Sequence, residues 1–163
     1  MGKKGREIVG KDVDEIIELF NKALADEWLA YYQYWVGALV VKGPMRPEVQ
    51  TELEEHAKEE LGHAKMLADR IIQLGGTPIL DPKEFNSKGS CGYEAPKNPH
   101  VLKILEQNIN GERCAIEVYS KILQKLKGTS DMISFNMIRK ILEDEVKHEH
   151  DLEDLEEDIK LIK

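Results

Sequence analysis

Glu27 stands 33 residues before Glu60, and Glu60 opens a Glu-x-x-His unit that ends at His63. Glu112 stands 33 residues before Glu145, and Glu145 opens a second such unit, ending at His148. On a helix, positions i and i+3 share a face. Carboxylate and imidazole together suit iron or manganese, with zinc possible by affinity. One helix offering a Glu and the next offering Glu and His, used twice, supplies the ligands of a two-metal carboxylate site. A single Glu-x-x-His is a weak signal in a chain with 31 acidic residues. His56 near Glu52 and Glu59, and His150 near Glu153, are decoys of that kind. The doubled, equally spaced pattern is what carries the expectation.

Four long segments must position these residues. Apolar residues recur at helical spacing over about 13–41, 47–74, 99–126 and from about 130 nearly to the C-terminus. In each segment the critical Glu lies on the apolar stripe, for example Leu53, Ala57, Glu60, Ala64, Leu67. Lys42-Gly43-Pro44, Gly75-Gly76 and Lys127-Gly128 are stop signals. Asn98 before Pro99 reads as a helix cap followed by proline at the first helical position. The first and third connections are short, so two antiparallel hairpins are expected. The middle connection, from Gly75 to Asn98, is rich in Gly, Pro, Ser and Asn. Helices of roughly 28 residues are about 42 Å long, and about 22 extended residues can span that length. The expected fold is all-α: one four-helix domain with a long crossover between the second and third helices, preceded by a flexible tail over residues 1–11.

Four inward carboxylates at one level repel each other. A buried anion without a partner is costly, or is neutralised by a raised pKa. Two cations remove the difficulty. Glu59 and Asp144 each lie four residues before a histidine of the pattern and could accept its second ring N–H.

The chain has 163 residues, 41% hydrophobic and 33% charged, with a net charge of −8. This composition fits one domain with a real core. No apolar run approaches the roughly 18 residues of a membrane span. The N-terminus carries no apolar segment behind its basic residues, so a cytoplasmic protein is expected. The acidity argues against nucleic acid as a partner, although Lys3, Lys4, Arg6 and Lys11 make the extreme N-terminus basic. Cys91 and Cys114 are too few for a disulfide scaffold and do not form a Cys-x-x-Cys unit. Cys114, two residues after Glu112, projects away from the ligand face, where the crossover could bring Cys91. A bond, two free thiols and a redox-cycling pair that supplies electrons are all open.

Over residues 13–160 the doubled Glu and Glu-x-x-His pattern resembles the ferritin-like di-iron superfamily, with a site of the bacterioferritin kind. The resemblance implies two iron ions per subunit, Glu60 and Glu145 as bridging carboxylates, and Glu27, His63, Glu112 and His148 as terminal ligands. Tyr34, seven residues after Glu27, matches a tyrosine often found beside such centres; an ordinary core aromatic is the alternative. Leu61 stands where a haem-binding methionine would, so no haem is expected. The compact length, without room for a fifth helix after Ile162, is similar to Dps-type proteins. Together with Cys91 in the crossover and Cys114 on the third helix, it resembles the Dps-like thioferritins. That implies a homo-oligomeric, dodecameric cage that oxidises and stores iron, with hydrogen peroxide or dioxygen as oxidant. A non-storing rubrerythrin-like peroxidase or a manganese catalase on the same fold is the rival, although Ala115 replaces an acid typical of rubrerythrins. A DNA-compacting cage is a third class, disfavoured by the charge.

Overall fold

A computed structural model describes residues 3–162. Helix α1 spans Lys3–Val9, a single 3-10 turn covers Gly10–Asp12, and α2 follows over Val13–Val40. Helix α3 spans Arg46–Gln73, α4 is a single turn at Phe85–Lys88, α5 spans Val101–Lys127 and α6 spans Met132–Leu161. The four long helices are those the apolar stripes predict, and they make an all-α bundle. Helices α2 and α3 pack as one hairpin, α5 and α6 as the other. No described helix is long and apolar enough to cross a membrane.

The apolar core is in two pieces. At one end Ile16 and Phe20 of α2 meet Leu67 and Ile71 of α3, Ile122 and Leu126 of α5, and Ile138 and Ile141 of α6. At the other end Tyr34 and Ala38 of α2 meet Val49 and Leu53 of α3, Ile104 and Leu105 of α5, and Leu152 and Ile159 of α6. The start of α2 thus lies with the end of α3, the end of α5 and the start of α6. Each hairpin is antiparallel, and α3 runs parallel to α5 across the crossover. The layer between the two cores is where the stripes carry Glu and His instead of Leu and Ile.

The crossover is tied to α2 along its length. Asn21 donates to Thr77 O at 3.1 Å and accepts from Ile79 N at 2.8 Å. Further along, Asp26 accepts from Ser90 N and Cys91 N, each at 2.8 Å, and Gln33 Oε1 accepts from Glu94 N at 3.0 Å. Gly89 is required by this approach, since a Cβ there would stand 2.5 Å from Asp26 Oδ1. At the far end Lys42 exchanges backbone hydrogen bonds with Pro99 O and Val101 N, at 2.8 and 2.9 Å.

Two local expectations are corrected. Asn98 does not cap α5. The helix begins two residues later, with His100 as N-cap accepting from Leu102 N, while Asn98 accepts from His100 N. The Lys42 bridge holds His100 in extended backbone, and this wins over the local Asn-Pro signal. The expected N-terminal tail is helical over Lys3–Val9; Met1 and Gly2 lie outside the described residues. Arg6 anchors it, donating to Leu74 O, a carbonyl at the C-terminus of α3, and to Asp14.

Candidate metal centre

Each long helix presents one carboxylate between the two cores. Glu27, Glu60, Glu112 and Glu145 are all buried, as are His63 and His148. Both imidazoles turn Nδ1 toward the carboxylates. His63 Nδ1 lies 3.1 Å from Glu60 Oε2, 3.1 Å from Glu145 Oε1 and 3.6 Å from Glu27 Oε2. His148 Nδ1 lies 3.3 Å from Glu60 Oε1, 3.6 Å from Glu145 Oε2 and 3.8 Å from Glu112 Oε1. Two four-residue donor sets result. Glu27, Glu60, His63 and Glu145 form one, and Glu60, Glu112, Glu145 and His148 the other, each with its donor atoms within 4.8 Å of one another. Glu60 and Glu145 belong to both.

The electrostatics follow from this crowding. Burial, then the charges of Glu60 and Glu145, hold the Glu27 carboxyl well above the usual carboxylate range. Burial, then Glu145 and Glu60, do the same to Glu112. Burial also pushes Glu60 upward, but the imidazoles of His148 and His63 beside it overcome this and bring Glu60 well below its ordinary value. For His148, burial favours the neutral ring, yet contacts with Glu145 and Glu60 raise it to about 11. His63 is raised likewise, through Glu145, Glu27 and Glu60 against burial. The layer without metal therefore balances its acids with protons.

That balance leaves polar atoms stranded. Glu27 Oε2, Glu60 Oε1, Glu145 Oε1 and His148 Nδ1 are buried without a hydrogen-bond partner. Native interiors seldom leave such atoms orphaned, and an unplaced ion is one standard reason. Four stranded donor atoms at one level, all oxygen or imidazole nitrogen, fit a pair of divalent first-row cations.

Tyr34 donates its phenolic hydrogen to Glu112 Oε1. Tyr119 does the same for Glu27 Oε1. Burial, together with Glu112 for Tyr34 and Glu27 for Tyr119, raises both phenols, so both stay protonated and act as donors. Each tyrosine serves a carboxylate of the opposite hairpin. Tyr119 was missed from the sequence; the signal was available, since it follows Glu112 by seven residues as Tyr34 follows Glu27. An offset of 85 residues relates the two halves throughout: Glu27 to Glu112, Tyr34 to Tyr119, Glu60 to Glu145 and His63 to His148.

Glu59 and Asp144 do meet the outer ring nitrogens, but in exchanged order. His63 Nε2 lies 3.3 Å from Asp144 Oδ2, and His148 Nε2 lies 2.5 Å from Glu59 Oε2. The expectation that each acid serves the histidine of its own helix is therefore wrong. With Nδ1 facing the centre, Nε2 points across to the neighbouring antiparallel helix, away from the preceding turn of its own. These acceptors select the Nε2–H tautomer and leave the Nδ1 lone pair for a cation.

Cys91 and Cys114 form a disulfide, with Cα atoms 5.7 Å apart, joining the crossover to α5. It adjoins a cavity lined by Ala30, Cys91, Gly92, Gly111 and Ala115 that reaches Glu27, Glu60, Glu112 and Glu145. Leu61, at the position expected to exclude haem binding, lies on the outer face of α3 and is exposed.

Comparison with known proteins bears on this arrangement. The ferritin-like domain family matches residues 17–162. A DNA protection during starvation protein of Pyrococcus furiosus is 32% identical over 150 residues, covering 91% of this chain and 80% of that one. A bacterioferritin of Desulfovibrio desulfuricans is 29% identical over 134 residues, covering 82% of this chain and 70% of that one. Among solved structures, the dodecameric thioferritin of Bacteroides fragilis, a bacterioferritin-related protein, superimposes with a TM-score of 0.95 at 46% identity. The match covers 99% of this chain and 100% of that one. A Dps homologue of Halobacterium salinarum shares the fold, with a TM-score of 0.86 at 22% identity. With a buried Glu and Glu-x-x-His layer repeated in two hairpins, the chain belongs to the ferritin-like family.

Proposed function

We propose that this protein oxidises and stores iron and protects against oxidative stress. The observation that carries the reading is the pair of donor sets sharing Glu60 and Glu145. A centre in which two carboxylates face two positions suits a reaction that draws one electron from each of two ions. The ions are ferrous iron, the substrate, and the oxidant is hydrogen peroxide or dioxygen. With peroxide, two ferrous ions each lose one electron, the O–O bond breaks, and two hydroxide ions and two ferric ions result. Consuming both reactants together prevents their one-electron reaction to hydroxyl radical. Manganese and zinc are alternative occupants of the same donors.

The chain's own residues have distinct tasks. Glu60 and Glu145 lie between the two histidines and link the positions. Glu27 with His63, and Glu112 with His148, close the two ends. Tyr119 and Tyr34 orient the end carboxylates from the opposite hairpin, and Glu59 and Asp144 hold the imidazoles. Cations entering the layer displace the protons of Glu27, Glu112 and the two histidines. The thioferritin relative is dodecameric, which supports a twelve-subunit cage here, with a hollow interior to receive ferric oxide. The net charge of −8 suits cation attraction and disfavours DNA as a partner.

Two measurements test this. Ferrous ions are added anaerobically, then peroxide, and retained iron is counted after gel filtration. Storage requires hundreds of irons in a particle of cage size. Retention of only about two per subunit would favour the non-storing peroxidase or manganese catalase on the same fold. Glu60→Ala should abolish oxidation while the far-ultraviolet dichroism stays helical; unchanged oxidation would remove this centre from consideration.

A further inference from the structure

His56 lies one turn before Glu60 on α3, is 1% exposed, and has no task in the six-residue centre. Its ring stacks on that of His148 with centroids 4.0 Å apart, and Tyr34 meets it edge-on at 5.2 Å. Neither ring nitrogen has a hydrogen-bond partner. A fully buried imidazole with both nitrogens unsatisfied is costly in a packed bundle. Nε2 is aimed into the groove between α3 and α6. Glu52 Oε1 lies 3.0 Å away without hydrogen-bond geometry, and Asp151 Oδ2 lies 4.0 Å away.

We infer that Glu52, His56 and Asp151 form a third cation site, separate from the paired centre, that takes one divalent first-row metal ion. One donor atom from each residue lies within 4.8 Å of the others. Donors bound to one ion at about 2.1 Å must fall inside that span. One imidazole and two carboxylates, with remaining positions open to water, suit ferrous, zinc or cobalt ions.

The internal repeat gives an independent argument. Shifting by 85 residues turns His56 into Ile141, Glu52 into Met137 and Asp151 into Met66. Ile141 belongs to the apolar core, and Met66 and Met137 pack against it. The fold therefore accepts three apolar residues in this setting, and packing does not demand the polar trio. The polar set occurs on one side of the paired centre alone, where His56 stacks on His148.

Local charges agree with a cation here. Burial, then Asp151 and Glu55, raise the Glu52 carboxyl. Lys147 Nζ lies 3.1 Å from Asp151 Oδ2, at present the only cationic group paired with that carboxylate among the described residues. Lys147 is 60% exposed on its side chain and can swing into solvent as an ion takes its place. Glu52 and Asp151 are both about a quarter exposed, at 26% and 28%, so an ion meets them before His56. From there the next donors inward are His148 and Glu112, which with His56 also fall within ligand reach of one another. The trio is thus a staging position on the α3/α6 side of the paired centre. That role rests on the paired-centre reading, whereas the site itself does not.

The test is anomalous scattering from crystals of the full chain soaked with zinc or cobalt ions. The native protein should show a peak among Glu52, His56 and Asp151 in addition to the pair. His56→Leu should remove that peak and leave the pair. Should His56→Leu fail to fold, Glu52→Gln and Asp151→Asn, both near the surface, serve the same purpose. Equilibrium dialysis with zinc should show each variant binding one ion fewer per subunit than the native chain. A native map with the pair alone overturns the third site and keeps the paired centre. A peak at the trio alone keeps the third site and overturns the paired centre. Crystals with no peak at either position overturn both.

Discussion

Breaking the Cys91–Cys114 bond by Cys114→Ser should cost a calculable amount of stability. The bonded residues are 23 apart in sequence. Closing a loop of that size lowers the entropy of the unfolded chain, which corresponds to about 3.4 kcal/mol at room temperature in the chain-entropy description. With an unfolding entropy of roughly 2.1 cal/mol/K per residue, a 163-residue chain should lose about 10 °C in Tm. The folded loop keeps other anchors, since Asp26 still caps Ser90 and Cys91 and Gln33 still holds Glu94. The loss should therefore come from the unfolded side, with the helical content unchanged. The assay is thermal unfolding of metal-free protein by circular dichroism, for the native chain with and without reductant and for the variant. Cys91→Ser should match Cys114→Ser, and the double variant should lose no more than either. A shift below about 2 °C on reduction, with the thiols shown to be free, would refute the entropic reasoning.

Three other predictions concern the centre. Tyr119→Phe removes the hydrogen bond to Glu27 and should weaken cation binding at the Glu27–His63 position by about 1.5 kcal/mol, roughly tenfold, read by zinc competition. The same change at Tyr34 should act on the Glu112–His148 position, and equal effects of both variants on both positions would contradict the crossed pairing. The pH dependence should depend on metal. His148 rises from an ordinary 6.5 to about 11 in the metal-free fold, so its contribution is complete below about pH 6.5 and is lost as pH climbs toward 11. Metal-free protein should thus lose Tm between pH 7 and 10, and zinc should suppress that loss. Because cations displace the bound protons, zinc addition in weak buffer should release acid; zinc binding without proton release would contradict the proton-balanced layer.

Much of the site was legible because helical spacing survives folding. Glu27, Glu60, Glu112 and Glu145 stand on apolar stripes, and a residue on the stripe must face the interior. The stripe cannot say which helix lies opposite. Glu59 and Asp144 therefore found their histidines in exchanged order, since the partner is set by the antiparallel α3/α6 contact. Tyr119 was hidden for another reason: an aromatic on an apolar stripe reads as core, and only alignment of the two halves exposes its match to Tyr34. His56 read as a decoy because one histidine among acids is common, while its burial and stranded nitrogens are tertiary facts. The α5 start moved from Asn98 to His100 because a backbone bridge from Lys42, 58 residues away, outweighs the local cap signal. Asn21, Asp26 and Gln33 fasten the crossover, and no local pattern marks polar residues for that task.

The division of labour between the hairpins has a consequence for the making of the molecule. Glu27, Glu60 and His63 are complete once the first hairpin exists, but Glu145, which closes their set, follows His63 by 82 residues. A half-synthesised polypeptide on the ribosome offers three loose side chains and no enclosing second hairpin. Cation capture at the proposed centre must wait until translation has passed α6, so a growing chain would be spared metal chemistry at its own unfinished interior.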